Sequence, residues 1–170
     1  MSPHLDDAQV DDDRAEPSKE PMKLANNDID VSHGVVRIGW STAADCGHLY
    51  WAFTEGLGDW LGTPSSPSME VDVGAAFCID AHPEWGGDAH YGRFTELQQD
   101  RRIALKWISG SLGGVESDVV IDLTRSASGT DVRIEHTGVT DPTARAAVGN
   151  FWLETRQALD AVIFSAQPND

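Results

Sequence analysis

The chain has 170 residues, 40% of them hydrophobic, and sets 28 Asp and Glu against 12 Lys and Arg for a formal charge of −16. That length suits one packed domain rather than two. So acidic a surface repels phosphate backbones and anionic membranes, and the densest basic spot, Arg101-Arg102, has Asp100 beside it, so neither nucleic acid nor membrane is expected as a partner.

Residues 1 to 27 carry Asp6, Asp7, Asp11 to Asp13, Glu16 and Glu20, with prolines at 3, 17 and 21, and hold almost nothing to bury. They predict a disordered acidic tail preceding a domain at residues 28–166. The start is polar and acidic rather than basic and then apolar, and no run reaches the roughly 18 apolar residues that span a bilayer. The expected location is the cytoplasm. Arg outnumbers Lys and Asp outnumbers Glu, which fits either a GC-rich genome or a saline cytoplasm. Cys46 and Cys78 match no metal or redox spacing and are expected as free buried thiols.

Val36, Ile38 and Trp40 alternate with Arg37 and Gly39, the period of a half-buried strand. Leu49, Ala52 and Phe53 then recur at helical spacing behind cap candidates at 41–45, and Asp59-Trp60-Leu61 suggests a second short helix. Past a Gly-Thr-Pro-Ser-Ser-Pro loop at 62–67, alternation predicts a strand over Met69 to Val73, then a turn at Gly74 into Phe77 and Ile79. Residues 82–88 form a hairpin loop. Further strands are expected at His90 to Leu97, Ile103 to Trp107, Val119 to Leu123 and Val132 to His136. From Asp141-Pro142-Thr143 a long helix begins, capped by Asp141 or Thr143. Its stripe is Val148, Trp152, Thr155, Leu159 and Val162, widened by Phe151 and Ala158. Short strands with turns every 8–12 residues and helices kept apart from them mean an α+β fold built on an antiparallel sheet.

The order of these phrases resembles the SRPBCC (START-like) superfamily, and within it the family named after the activator of the heat-shock protein 90 ATPase. The phrases are Val36 to Phe53, Asp59-Trp60-Leu61, Val71 to Phe77, Tyr91 to Leu97 with Arg102 to Trp107, and Gly129 to Gly138. They cover about residues 31 to 165, with Ala75 where the family has a second glycine. The resemblance implies a helix-grip fold, a curved antiparallel sheet wrapped around the C-terminal helix, often with an apolar ligand cavity between them.

The candidate residues for such a cavity are Trp40, Phe53, Phe77, Trp107, Trp152 and Thr155, together with Tyr91, Arg93 and His136. Core packing is the plainer role for the tryptophans, and an aromatic-lined concavity with a few polar groups is the sharper one. His136, in phase with Val132 and Ile134, is either a buried neutral imidazole or a donor that orients a ligand. Tyr91 and Arg93 share the phase opposite Phe94, and the pattern leaves open which phase faces inward. His82, Glu84, Asp88 and His90 bracket a loop whose spacing fits no metal cage, so no metal and no cofactor are expected. The expected function is binding of a hydrophobic small molecule without catalysis, as a monomer or homodimer. The alternatives are a co-chaperone-type module with a chaperone partner, or a cyclase- or lyase-like enzyme using His136, Tyr91 or Arg93.

Overall fold

A computed structural model describes residues 29–32, 34–64 and 69–165, with side chains as far as 163. The expected tail at residues 1–27 lies outside the described residues. Seven strands form one antiparallel sheet: β1 (Ile29–Ser32), β2 (Val35–Thr42), β3 (Ala76–Asp80), β4 (Ala89–Gln98), β5 (Arg102–Ser109), β6 (Ser117–Ser126) and β7 (Gly129–Thr137). Their order across the sheet is β1-β2-β7-β6-β5-β4-β3. Two short helices, α1 (Cys46–Phe53) and α2 (Leu57–Leu61), separate β2 from β3, and the long α3 (Pro142–Ser165) closes the chain. This is the helix-grip α+β architecture.

The period-2 residues decide which face is covered. Ile38, Ile134, Ile121 and Ile103 stand in register across four neighbouring strands, all buried under α3 and α1. The opposite phases carry charge. Arg37 bonds Glu135 at 2.9 Å, Arg102 bonds Asp122 at 2.7 Å, and Lys106 lies 2.6 Å from Asp118, all on the outer face. α3 starts where its cap predicts, with the Ala144 N–H donating to Asp141 Oδ1 at 2.8 Å. Its stripe of Val148, Trp152, Thr155 and Leu159 is buried.

Two expectations are corrected. Residues 69–73 are not a strand: Ala75 N–H bonds back to the Asp72 carbonyl, Gly74 turns at φ +89°, and Val73 is left exposed. Met69 and Val71 still pack on the core, which explains the apolar alternation without a ladder. The sheet gains β1 instead, whose Ile29 and Val31 lie against Gly149 of α3. Cys46 is buried and free as expected, whereas the free Cys78 is only partly buried, because it falls on the outer phase of β3.

Candidate functional site

Aromatic side chains from six elements converge between the sheet and α3. Trp107 of β5 is the hub. Its ring centroid lies 5.9 Å from Phe77, 6.0 Å from Phe151 and 6.1 Å from Trp152. Phe151 also meets Trp85 at 5.5 Å, and Trp85 meets Trp60 of α2 at 5.7 Å. Most of these contacts are edge-to-face, the arrangement ring quadrupoles favour.

One glycine makes the hub possible. Gly92 stands opposite Trp107 across the β4–β5 ladder, and a Cβ there would lie 2.2 Å from Phe77 Cζ and 2.8 Å from the Lys106 carbonyl oxygen. The missing side chain is the slot into which the Phe77 ring fits, and through it Phe77 reaches Trp107.

Two tryptophan–histidine pairs are embedded in this cluster. Trp152 Nε1–H donates to His136 Nδ1 at 3.0 Å, and Trp107 Nε1–H donates to His90 Nδ1 at 3.1 Å. An indole N–H can only donate, so each Nδ1 must be the acceptor and each imidazole must be neutral with its proton on Nε2. His136 passes that proton's bond to Ser117 Oγ at 2.7 Å, and Ser117 donates in turn to the Trp107 carbonyl at 3.0 Å. The chain Trp152, His136, Ser117, Trp107 is saturated. Burial pushes the His136 pKa down to about 4, only weakly opposed by the Asp118 charge.

The second pair ends differently. His90 stacks on Phe151 at 5.8 Å and is wholly buried, which lowers its pKa, while the Asp88 charge pulls the other way. Its Nε2 faces Asp88 Oδ1 at 3.5 Å, and neither buried atom has a hydrogen bond of ordinary geometry. Burial alone would raise the Asp88 carboxyl. Hydrogen bonds from the Ser111 N–H (2.8 Å), the Ser109 hydroxyl (3.0 Å) and the Ser111 side chain, with His90 beside it, outweigh that and hold it below the usual value.

Seven of the nine residues expected at a cavity face the interior: Trp40, Phe53, Phe77, Trp107, His136, Trp152 and Thr155 are all buried. Of these, Phe77, Trp107, His136 and Trp152 join the aromatic network. Thr155 spends its hydroxyl on the Phe151 carbonyl at 2.8 Å. Tyr91 and Arg93 do not belong to the site. Both are exposed, because β4 turns His90, Gly92 and Phe94 inward. The network adds Trp60, Trp85, His90, Phe94 and Phe151. His90 shares the phase of Phe94, a signal present in the sequence. Trp85 is hidden by its setting in a 3-10 turn, Pro83–Trp85, within a glycine-rich loop. Among the described residues no group of three or more His, Cys, Asp or Glu is placed to hold a metal, and no helix is long and apolar enough to cross a membrane.

The profile of the family described as activator of Hsp90 ATPase homolog 1-like protein matches residues 43–163. No curated protein shows significant similarity to the chain. Solved structures do. Protein CV1439 from Chromobacterium violaceum superposes with a TM-score of 0.66 at 21% identity, covering 77% of this chain and 98% of its own. DynU16, a protein of the dynemicin biosynthetic locus, gives 0.65 at 22% identity, covering 81% of this chain and 49% of its own. PFC0360w, an HSP90 activator from Plasmodium falciparum, gives 0.55 at 21% identity, with coverages of 72% and 89%. At these identities the likeness is one of fold.

Proposed function

The chain belongs to the activator of Hsp90 ATPase homolog 1-like family, and from that premise we propose that this domain binds a hydrophobic small molecule between the sheet and α3 and performs no reaction on it. The observation that carries the reading is the buried cluster of Trp85, His90, Trp107, Phe151 and Trp152 between the sheet and α3, packed ring against ring with a few oriented polar groups among them.

The same packing narrows the ligand. The rings touch one another, and each edge-to-face contact is worth about 0.5–1.5 kcal/mol beyond its buried area. A molecule entering here must replace those contacts with flat aromatic surface of its own. Planar and polycyclic aromatics therefore fit better than linear acyl chains. The hydrogen bonding supports a binder over a catalyst. Both Nδ1 lone pairs are taken by indoles, and Tyr91 and Arg93 lie on the far face, so the three groups considered for a lyase or cyclase do not converge.

Intrinsic tryptophan emission titrated with fatty acids, polycyclic phenols and aromatic acids tests this directly. The expected result is saturable quenching by the aromatics with a matching rise in thermal midpoint. No response from any of them would sink the reading. The family description favours a second reading, a co-chaperone-type module, and stimulation of a chaperone's ATPase by the chain would support it in place of the first.

A further inference from the structure

A groove lies at one end of the sheet. It has a volume of about 1230 Å³ and runs from Gly39–Ser41 of β2, over Asp131–Arg133 of β7 and Asp122–Arg125 of β6, to the β4–β5 turn at residues 98–102. Four of the chain's nine arginines line it, Arg101, Arg102, Arg125 and Arg133, and four acids match them in number. The pairing is uneven. Arg102 takes both Glu96 (3.2 Å) and Asp122 (2.7 Å), and Asp131 accepts from the Ser41 hydroxyl. Arg101 and Arg125 are exposed and carry no ion pair to any described residue. Among the described residues these two guanidinium groups have no ion-pair partner, on a chain whose net charge is −16.

The direction of β1 brings one anion to its edge. β1 runs antiparallel to β2 with Ile29 opposite Ile38, so its N-terminal end lies next to Gly39–Ser41, where the groove begins. Residues 1–28 join the domain at that point. They carry eight acids against three bases, including the run Asp11 to Asp13. The far wall on β5 is three strand spacings from β2, roughly 15 Å. A few residues of chain, at about 3.3 Å each, cover that span.

We propose that the acidic segment 1–28 seats in this groove of its own chain, with its carboxylates on Arg101 and Arg125. Attachment beside the groove gives the segment an effective concentration of order millimolar, so ion pairs too weak to hold a free peptide suffice. The seat is electrostatic and exposed, and salt empties it.

Trypsin reads the seat in the full chain, since Arg14, Lys19 and Lys23 all lie in the segment. Release of segment peptides is followed by mass spectrometry at low ionic strength. The double variant R101Q/R125Q is expected to release them about fivefold faster than the parent, the worth of two surface ion pairs. R145Q/R156Q makes the same charge change on α3 and is expected to behave as the parent. The difference is expected to vanish at about 0.5 M salt. Equal rates in all three proteins overturn the proposal, as does an equal acceleration in the α3 control. Protection that grows with protein concentration also overturns it, since the groove would then hold the segment of a second copy.

Discussion

Acid should weaken this fold well before its carboxylates titrate, and His136 is the reason. Its imidazole is 1% exposed, accepts from Trp152 and donates to Ser117, and burial holds its pKa at about 4 against an ordinary 6.5. Above pH 6.5 neither the folded nor the unfolded chain protonates it, and the full stability is present. Between 6.5 and about 4 the unfolded chain binds the proton and the folded chain does not, so stability falls as pH falls. At about 1.4 kcal/mol per unit, the loss is about 2 kcal/mol from pH 7.5 to 5 and about 3 kcal/mol once both states are protonated. His90 is shifted in the same direction and adds to the slope. Asp45 and Asp88 are lowered from 3.8 and act only below this window. Urea unfolding at pH 7.5 and 5 measures the loss, and the His136→Gln variant isolates it. The parent should lose about 2 kcal/mol more over that interval than the variant. Imidazole resonances of the parent should report an Nε2–H tautomer titrating near 4. Equal losses in parent and variant, or a His136 titrating near 6.5, would refute the reasoning.

Gly92→Ala should cost about 1–3 kcal/mol, because the new methyl meets Phe77 and a strand carbonyl that has no room to move; denaturant midpoints and a changed near-ultraviolet tryptophan signal would register it. Trp152→Phe leaves His136 Nδ1 buried without a donor, at a cost of about 1–3 kcal/mol, and should raise the His136 pKa in an imidazole titration. Asp45→Ala removes the side-chain acceptor of the His48 N–H at the start of α1 and should cost about 0.5–2 kcal/mol in urea unfolding.

The inner phases of β2, β5, β6 and β7 and the stripe of α3 were legible because each repeats its period over enough residues to admit one face only. β4 was not. Tyr91 and Phe94 put aromatics on both phases, and what decides between them is the Phe77 ring lying over Gly92, a contact made across the β3–β4 pairing. Residues 69–73 misled for a related reason. Their apolar members do touch the core, but their backbone bonds close a turn, and hydropathy reports burial rather than hydrogen bonding. Trp85 sits among Pro, Glu and Gly, so local composition marks a loop while α2 and α3 supply its partners from a distance. The candidate site was therefore visible as a set of inward residues. The pairing of each indole with an imidazole was not, because it joins strand to strand and strand to helix.

That pairing explains how so polar a set of residues serves a core. A buried imidazole is useful as a base only when a lone pair faces the reacting group, and it is costly when either nitrogen is unmet. Indole N–H groups meet the Nδ1 of both histidines here, and each tryptophan loses its own orphan donor in the same bond. The two histidines then diverge. His136 donates a hydrogen bond from its Nε2–H to Ser117 Oγ and is closed off. His90 directs its own at Asp88 across 3.5 Å, with Asp88 already anchored through its other oxygen to Ser109 and Ser111. A group that accepts from Nε2–H and donates to the carboxylate, as a phenolic hydroxyl does, would satisfy both atoms at once. On the proposed reading the aromatic ligand carries such a hydroxyl, and in the fluorescence titration a phenol should bind more tightly than its methyl ether. Loss of one buried charge-assisted hydrogen bond should cost the ether about 1.5–3 kcal/mol, a tenfold or greater rise in Kd. Equal affinity for phenol and ether would place the ligand elsewhere than against His90 and Asp88.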